Sequence, residues 1–229
     1  MRNIYVAMPS YTGRPDIETL HCLRNVAEGI QGLGWGITFK FTVGNSFISH
    51  ARDRFVADFM ARPEFTDLVM LDDDLWWEDD AVLRLLSHEV DLVGGVYPKK
   101  EESISFPVKR LGPEETPDRR GLLKVRMLPG GFMRMTRACA EKMYEAYPDL
   151  NYRDEAIPGG KNCALFLPAL CPNDEGTEMS LWGEDFMFCR RWTAIGGDVY
   201  ADTLLRFKHF GRKAYEACYA DFLPEFQVG

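Results

Sequence analysis

The first hundred residues alternate between short apolar runs and longer stretches in which apolar side chains recur at helical spacing. The predicted strands are Ile4–Met8, Ile37–Val43, Asp67–Leu71 and Val90–Val96. The predicted helices between them cover 16–30, a segment in which Ile48, Ala51, Phe55 and Phe59 share one face, and 79–89. Strands that alternate with helices of this length predict right-handed βαβ units and a parallel sheet.

The second half of the chain has a less regular pattern. Residues 99–121 are polar and contain Pro107, Pro113 and Pro117, which predicts a loop. Residues 148–180 are rich in turn-forming residues around one apolar island, Ala164–Leu170. The other predicted elements are strands at Leu122–Leu128, Phe132–Met135, Val199–Ala201 and Leu204–Lys208, a helix from the N-cap Thr136 to Tyr147, and a helix at Glu184–Ile195.

Length and charge narrow the class of protein. A chain of 229 residues can bury one substantial core, so we predict a single α/β domain over 1–229. The pattern divides it into a nucleotide-binding-like half at 1–100 and an irregular half at 101–229 that is suited to shaping a second substrate pocket. The formal charge of -8 repels phosphate backbones and anionic lipid, which disfavours broad nucleic-acid or membrane binding but leaves room for a local basic groove. A nucleic-acid acceptor is therefore not favoured, although it is not excluded.

The cysteines and the N-terminus indicate a cellular compartment. The six cysteines are scattered and form no CxxC pair, so we expect reduced thiols and no zinc site. The apolar run before Pro9 is too short for a signal peptide, and no stretch approaches the roughly 18 apolar residues of a membrane span. We therefore expect a cytoplasmic protein without a membrane span.

An acidic triplet, Asp72, Asp73 and Asp74, directly follows the third predicted strand. Ligands of open α/β sheets bind beyond the carboxyl ends of the strands, and a divalent cation relieves the mutual repulsion of adjacent carboxylates. Strand alternation places Asp72 and Asp74 on the same side, so this pair is predicted to serve the metal and a nucleotide. The alternative is that the acids merely begin the next helix, but residues 78–80 already supply negative charge there.

A second acidic pair, Glu184 and Asp185, follows Trp182 and a glycine at a predicted helix start. The tryptophan offers a flat face on which a sugar could stack, and a neighbouring carboxylate could act as a general base toward an acceptor hydroxyl. His209 ends the last predicted strand, near the predicted metal centre. The alternatives are a helix-terminal acid pair beside a core tryptophan, and a structural histidine.

These segments occur in the order found in glycosyltransferases with the GT-A fold. They are Val6–Ser10, Ser49–Asp53, Asp72–Asp74, Gly94–Lys100, Pro129–Met133, Gly183–Phe186 and His209–Gly211. The chain resembles the family-2-like enzymes, especially small ones from phages and other viruses, over most of its length. This resemblance implies an α/β fold of the GT-A type, with a Rossmann-like nucleotide-binding half, a mostly parallel central sheet and an irregular acceptor-side half.

The resemblance also implies roles on the donor side. Residues that would contact the nucleotide are Pro9, Ser10, Tyr11, Arg52, Asp72 and Asp73. Asp74 and His209 would ligate Mn²⁺ or Mg²⁺, while Asp72 would face the ribose or the water shell of the metal. Two positions depart from the family: Asp53 replaces a common Asn, and Asp73 replaces a residue that is commonly uncharged.

On the acceptor side, the resemblance makes Asp185 the catalytic base and lets Glu184 orient the acceptor or the base. Trp182 and Gly131 would contact the acceptor. The implied reaction moves a sugar from a nucleoside-diphosphate sugar, UDP- or GDP-linked, to an unidentified acceptor by a single displacement that inverts the anomeric carbon. One alternative is a sugar-1-phosphate nucleotidyltransferase, although the segment after the first strand lacks a glycine-rich basic loop. The other is a sugar-binding module without turnover.

Overall fold

The computed structural model describes residues 1–211 and 213–224. The helices are α1 (Ile17–Gly32), α2 (Ile48–Met60), α3 (Ala81–Ser87), α4 (Arg137–Ala146) and α5 (Glu184–Ala194). The strands of the first half are β1 (Asn3–Ser10), β2 (Gly36–Val43), β3 (Asp67–Leu71), β4 (Leu75–Trp77) and β5 (Leu92–Gly95). Those of the second half are β6 (Lys109–Arg110), β7 (Leu122–Met127), β8 (Phe132–Thr136), β9 (Asn151–Arg153), β10 (Lys161–Cys163), β11 (Ala169–Pro172), β12 (Met179–Trp182), β13 (Val199–Asp202), β14 (Arg206–Phe210) and β15 (Ala214–Cys218).

Two helix starts have side-chain caps. Asp16 accepts a hydrogen bond from the backbone N–H of Glu18 at 3.0 Å and begins α1. Thr136 accepts from the backbone N–H of Cys139 at 3.2 Å and begins α4, which confirms the predicted cap. Such caps satisfy N–H groups that a helix leaves unpaired at its first turn.

Within the described residues, the central sheet has eight strands in the order β2-β1-β3-β8-β5-β13-β7-β6. β8 and β7 run opposite to the other strands, so the sheet is mostly but not wholly parallel. β8 lies between β3 and β5. It is antiparallel to β3 because it starts beside the carboxyl end of that strand, where Leu71 pairs with Phe132. The pattern of apolar residues gave no sign of this reversal, since a buried strand looks alike in either direction.

Apolar side chains fill both faces of the sheet. On one face, Tyr5 and Ala7 of β1 join a core that includes Phe55 of α2. On the other face, Ile4 and Val6 join a core with residues of α1 and α3. The alternation along β1 is that of a strand buried on both sides, and it fixes the carboxyl edge of the sheet between two helical layers.

A three-stranded sheet of β15, β14 and β4 lies beside the carboxyl end of β3. It was not predicted: β4 and β15 were missed, and β14 extends two residues beyond the predicted Lys208. His209 therefore lies within a strand, where it pairs with Leu75, and the backbone N–H of Phe210 donates to the carbonyl of Asp74 at 2.8 Å. This pairing brings the late histidine to the acidic triplet.

The remaining parts of the second half carry short hairpins. β9 pairs with β10, and β11 pairs with β12, inside the segment 148–180 that was predicted to be irregular. The predicted loop 99–121 is irregular apart from β6. Across the described part of the chain, no helix has the length and apolar character to cross a membrane.

Candidate active site

The candidate site lies at the carboxyl edge of the central sheet, where β3 ends and β8 begins. The backbone N–H of Asp72 donates to the carbonyl of Gly131 at 2.8 Å, so the acidic triplet and the glycine pair at 130–131 lie side by side. This is the edge at which ligands bind in open α/β sheets. The first strand contributes Ser10, which is buried at its end.

Arg52 of α2 joins the two acidic clusters. Its buried guanidinium donates from Nη2 to Asp72 Oδ1 at 3.1 Å and from Nη1 to Glu184 Oε1 at 3.1 Å. Burial opposes the charge, but the carboxylates of Asp72 and Glu184 outweigh it and raise the pKa of Arg52 above its ordinary value. Gly130 permits this approach, since a Cβ there would overlap Arg52 Nη1.

Asp185 lies on the first turn of α5 and faces the glycine pair. Its Oδ2 accepts from the backbone N–H of Gly130 at 3.3 Å, and its Oδ1 accepts from that of Phe186 at 2.7 Å. Burial, together with the negative charge of Glu184, raises the pKa of Asp185, although Arg52 partly opposes this. A carboxylate with a raised pKa is a stronger base, as proton abstraction from a hydroxyl requires.

Gly131 lies between Asp72 and Tyr97. Its backbone N–H donates to Tyr97 Oη at 3.1 Å, and a Cβ on Gly131 would overlap Asp72 Oδ2. Burial raises the pKa of Tyr97 well above its ordinary value, so the phenol is neutral at physiological pH. Gly131, which was predicted to contact the acceptor, is hydrogen-bonded to Asp72 and Tyr97.

Asp74 faces a histidine and a lysine. His209 Nε2 lies 3.5 Å from Asp74 Oδ1, and Lys100 Nζ forms an ion pair with Asp74 Oδ2. His209 Nδ1 lies 2.8 Å from the carbonyl of Pro98, which can only accept, so Nδ1 carries a proton. In the neutral imidazole, Nε2 then directs a lone pair at the carboxylate, an arrangement that a cation between the two groups would stabilise.

A cleft of about 490 Å³ opens beside the end of β1 and the acidic triplet, on the side predicted to bind the donor. Tyr11, Asp73 and Asp74 line it, and Tyr11 is 66% exposed. The carbonyl of Asp73 accepts from the backbone N–H of Asp16 at 2.9 Å, which ties the triplet to the start of α1. Burial raises the pKa of Asp73, and the neighbouring carboxylates of Asp74 and Asp72 add to this effect.

A second cleft, of about 570 Å³, lies beside the start of α5, on the side predicted to take the acceptor. It is lined by Asp185, Trp182 and Lys99 together with apolar residues such as Phe106. The ring of Trp182 does not lie in purely apolar surroundings, because the cationic groups of Lys109 and Arg190 each lie 5.0 Å from its centroid. The ring of Trp182, which was predicted to stack on a sugar, therefore has two positive charges beside it.

The structure brings most of the predicted residues together at one edge. Those that lie at or directly beside the glycine pair and the triplet are Ser10, Arg52, Asp72, Asp73, Asp74, Glu184, Asp185 and His209. Among the described residues, no group of three or more His, Cys, Asp or Glu side chains is arranged to hold a metal ion. Asp72 and Asp74, predicted as a pair, have different partners, namely Arg52 and Lys100.

Tyr97, Lys100 and Gly130 were given no role from the sequence. All three lie in segments that carry the resemblance, Gly94–Lys100 and Pro129–Met133, so their position in those motifs was the available signal. Their contacts depend on how β5 and β8 are placed around β3, which the pattern of apolar residues does not encode.

Comparisons with known proteins agree with this fold. No protein-family model matches the chain, and no curated protein matches it. Among solved structures, A197 from STIV is 17% identical, with a TM-score of 0.57 over 96% of this chain and 91% of that chain. The catalytic domain of Drosophila β1,4-galactosyltransferase 7, in complex with xylobiose, is 13% identical, with a TM-score of 0.45 over 93% of this chain and 68% of that chain. GalNAc-T7 with UDP, GalNAc and Mn²⁺ is 12% identical, with a TM-score of 0.46 over 93% of this chain and 44% of that chain.

The likeness to A197 shows a shared fold, at an identity that carries no information on activity. The predicted fold class is confirmed as an α/β fold with a mostly parallel central sheet. Proteins named as glycosyltransferases are among the structural neighbours, at TM-scores of 0.45 and 0.36.

Proposed function

We propose that this protein is a metal-dependent glycosyltransferase that moves a sugar from a nucleoside-diphosphate sugar to an acceptor hydroxyl with inversion. One observation carries the proposal. Asp185 borders one cleft, and Asp73 and Asp74 border another. Arg52 bridges their sequence neighbours Glu184 and Asp72. A donor in the first-strand cleft and an acceptor beside α5 would meet at this bridge.

The residues at Asp74 fit a divalent cation. Oδ1 of Asp74 and Nε2 of His209 face each other at 3.5 Å, and Mn²⁺ accepts both carboxylate and imidazole ligands. Asp74 and His209 would hold the ion, while phosphate oxygens of the donor would complete its shell. When bound, the ion supplies neutralisation of the charge that builds on the departing diphosphate.

The protein's own groups supply the base and its orientation. Asp185 accepts the proton of the acceptor hydroxyl, a role supported by its raised pKa and by its place on the acceptor-side cleft. Glu184, fixed by Arg52, orients the acceptor or Asp185. Attack from the side opposite the departing diphosphate inverts the anomeric carbon, the logic by which inverting glycosidases place base and leaving group on opposite faces.

The donor side supplies recognition. Tyr11 offers an exposed ring at the cleft, beside Pro9 and Ser10 at the end of β1, for a nucleoside of the UDP or GDP class. Asp72, held by Arg52, would face the ribose or the water shell of the metal, and Asp73 would contact the nucleotide. In this proposal the chain 1–229 acts as one catalytic domain, with donor binding in 1–100 and the acceptor and base in 101–229.

Thermal denaturation with UDP, GDP, CDP and dTDP, each with Mn²⁺ or with EDTA, tests the proposal. We expect at least one nucleotide to raise the Tm with Mn²⁺, since a ligand at a hundred times its Kd stabilises the folded state by roughly 2.7 kcal/mol, and we expect EDTA to abolish the effect. Stabilisation that persists in EDTA would contradict the metal dependence. Release of pyrophosphate from a nucleoside triphosphate and a sugar 1-phosphate would identify a nucleotidyltransferase instead.

A further inference from the structure

Lys100 forms an ion pair with the carboxylate that the proposed function assigns to the divalent cation. Its Nζ contacts Asp74 Oδ2, and His209 Nε2 lies 3.5 Å from Oδ1 of the same group. The stem of Lys100 packs beside Gly211, where a Cβ would lie 3.1 Å from Lys100 Cδ. The ammonium of Lys100 is therefore paired with the carboxylate that a metal ion would need as a ligand.

The backbone is held at the two residues that precede Lys100. The carbonyl of Pro98 lies 2.8 Å from His209 Nδ1, and the backbone N–H of Lys99 donates to the carbonyl of Ser105 at 2.8 Å. A change in the position of the ammonium then needs only rotation of the lysine side chain, which has four flexible bonds. Lys100 can leave Asp74 without disturbing the histidine.

An ammonium and a divalent cation compete for this carboxylate. Their like charges repel each other, and the pair is only partly exposed, with about a third of each side chain accessible, so water screens the repulsion incompletely. The other nearby cation, Arg52, is already shared by Asp72 and Glu184. Lys100 is thus the counter-charge of Asp74 in the metal-free protein.

We propose that Lys100 is an internal competitor for the divalent cation, which neutralises Asp74 in the metal-free protein and is displaced when the cation binds. The inference rests on the proposed function, because it takes Asp74 as a metal ligand. Its consequence is that the cation binds weakly alone and is retained when a donor adds phosphate oxygens. Metal and donor then bind together, and the site is not filled by free metal.

Electron paramagnetic resonance of free Mn²⁺, titrated with nucleotide-free protein, tests this. Lys100→Met keeps the apolar stem and removes the charge, and it should lower the Kd for Mn²⁺ roughly three- to tenfold, the effect of removing one partly exposed ion pair. Lys99→Met makes the same change in net charge, but Lys99 lines the acceptor-side cleft, so its Kd should equal that of the wild type. In an Asp74→Asn background, Lys100→Met should give no gain, because the contested carboxylate is gone.

The outcomes separate this inference from the proposed function. If the wild type binds Mn²⁺ and Lys100→Met binds it equally or more weakly, the inference is overturned and the metal dependence stands. A gain of equal size in Lys99→Met, or one that persists in the Asp74→Asn background, would also overturn it. If no variant binds Mn²⁺ even with UDP or GDP present, the metal dependence fails, and this inference fails with it.

Discussion

Arg52 is the side chain on which the geometry of the site depends. Its guanidinium is buried, and its two terminal nitrogens contact different carboxylates, those of Asp72 and Glu184. A lysine could not serve both, because a single ammonium lacks the fixed fork of the guanidinium. Loss of Arg52 would leave two partly buried acids without their shared cation, an arrangement that is strongly destabilising. The glycines at 130–131 make room for this bridge.

Substitution of Gly131 tests the packing of the bridge. In Gly131→Ala the new Cβ would overlap Asp72 Oδ2, so the carboxylate must move away from Arg52. We expect the free energy of unfolding to fall by about 1–3 kcal/mol, as for other overpacked sites, and the Mn²⁺-dependent Tm shift with nucleotide to be lost. Thermal denaturation with and without ligands measures both effects.

Gly32→Ala is the matched control for Gly131→Ala. It makes the same change at the end of α1, where a Cβ would meet nothing within 4 Å. Stability should be unchanged or slightly higher, because alanine favours the helix, and the ligand-dependent shift should be retained. Wild-type stability and ligand response in Gly131→Ala would show that the close approach at this position is unimportant.

Helix α2 is the element that connects the site to the second half of the chain. Three consecutive side chains leave it in different directions, since each residue turns the helix by about 100°. Arg52 reaches the site, and Arg54 forms a two-point ion pair with Asp154, at 2.6 and 2.9 Å. Asp53, buried between them, accepts from the backbone N–H of Phe166 at 2.8 Å. Asp53 therefore has a structural role, since it fixes the apolar island Ala164–Leu170.

Asp53 predicts a dependence of stability on pH. Burial raises its pKa from the ordinary value of 3.8 to about 7, although Phe166 and Arg191 oppose the shift. The folded state then binds more protons than the unfolded state between these values, so this contribution to stability is present below pH 4 and is lost as the pH rises to about 7. The loss is at most about 4 kcal/mol, from a displacement of about three pKa units.

Asp53→Asn removes the ionisation and keeps an oxygen that can accept from Phe166. It should therefore be more stable than the wild type at pH 8, and the gain should shrink until the two are close at pH 4. Urea unfolding at both pH values measures the difference in the free energy of unfolding. Equal destabilisation of the variant at both pH values would show that Asp53 is needed in its charged form, beside Arg191. The predicted fall in stability with rising pH would then be wrong.

The sequence predicted the elements whose burial is encoded locally. β3 has the predicted bounds, Asp67–Leu71, because a fully buried strand is a continuous apolar run. β4 was missed, since Leu75–Trp77 is short and directly follows three acids. The antiparallel direction of β8 and the contact of Lys100 with Asp74 both arise from tertiary placement. Local patterns do not specify such contacts. The acidic clusters could be predicted from sequence, and the resemblance paired Asp74 with His209, but the contacts with Arg52 and Lys100 were not predicted.

At the scale of the whole molecule, the proposed function divides two tasks between two clefts. The donor-side cleft opens beside β1 and the triplet, whereas the acceptor-side cleft opens beside α5 and the glycine pair. The two are joined through Arg52, and each contains carboxylates with a raised pKa, Asp73 in one and Asp185 in the other. Recognition of the donor and activation of the acceptor are therefore assigned to different residues, and they should be separable by mutation.

The most direct test of this account is NMR of donor turnover by the wild type and by Asp185→Asn, with Mn²⁺, α-linked UDP- and GDP-sugars, and water as the acceptor. The wild type should first release the β-anomer, because the reaction inverts the anomeric carbon. Asp185→Asn should lose roughly 10²–10⁴-fold in rate while its donor affinity is retained. Asp198→Asn, a control that alters a surface carboxylate paired with Lys124, should turn over like the wild type. Release of the α-anomer, or undiminished turnover by Asp185→Asn, would contradict the account.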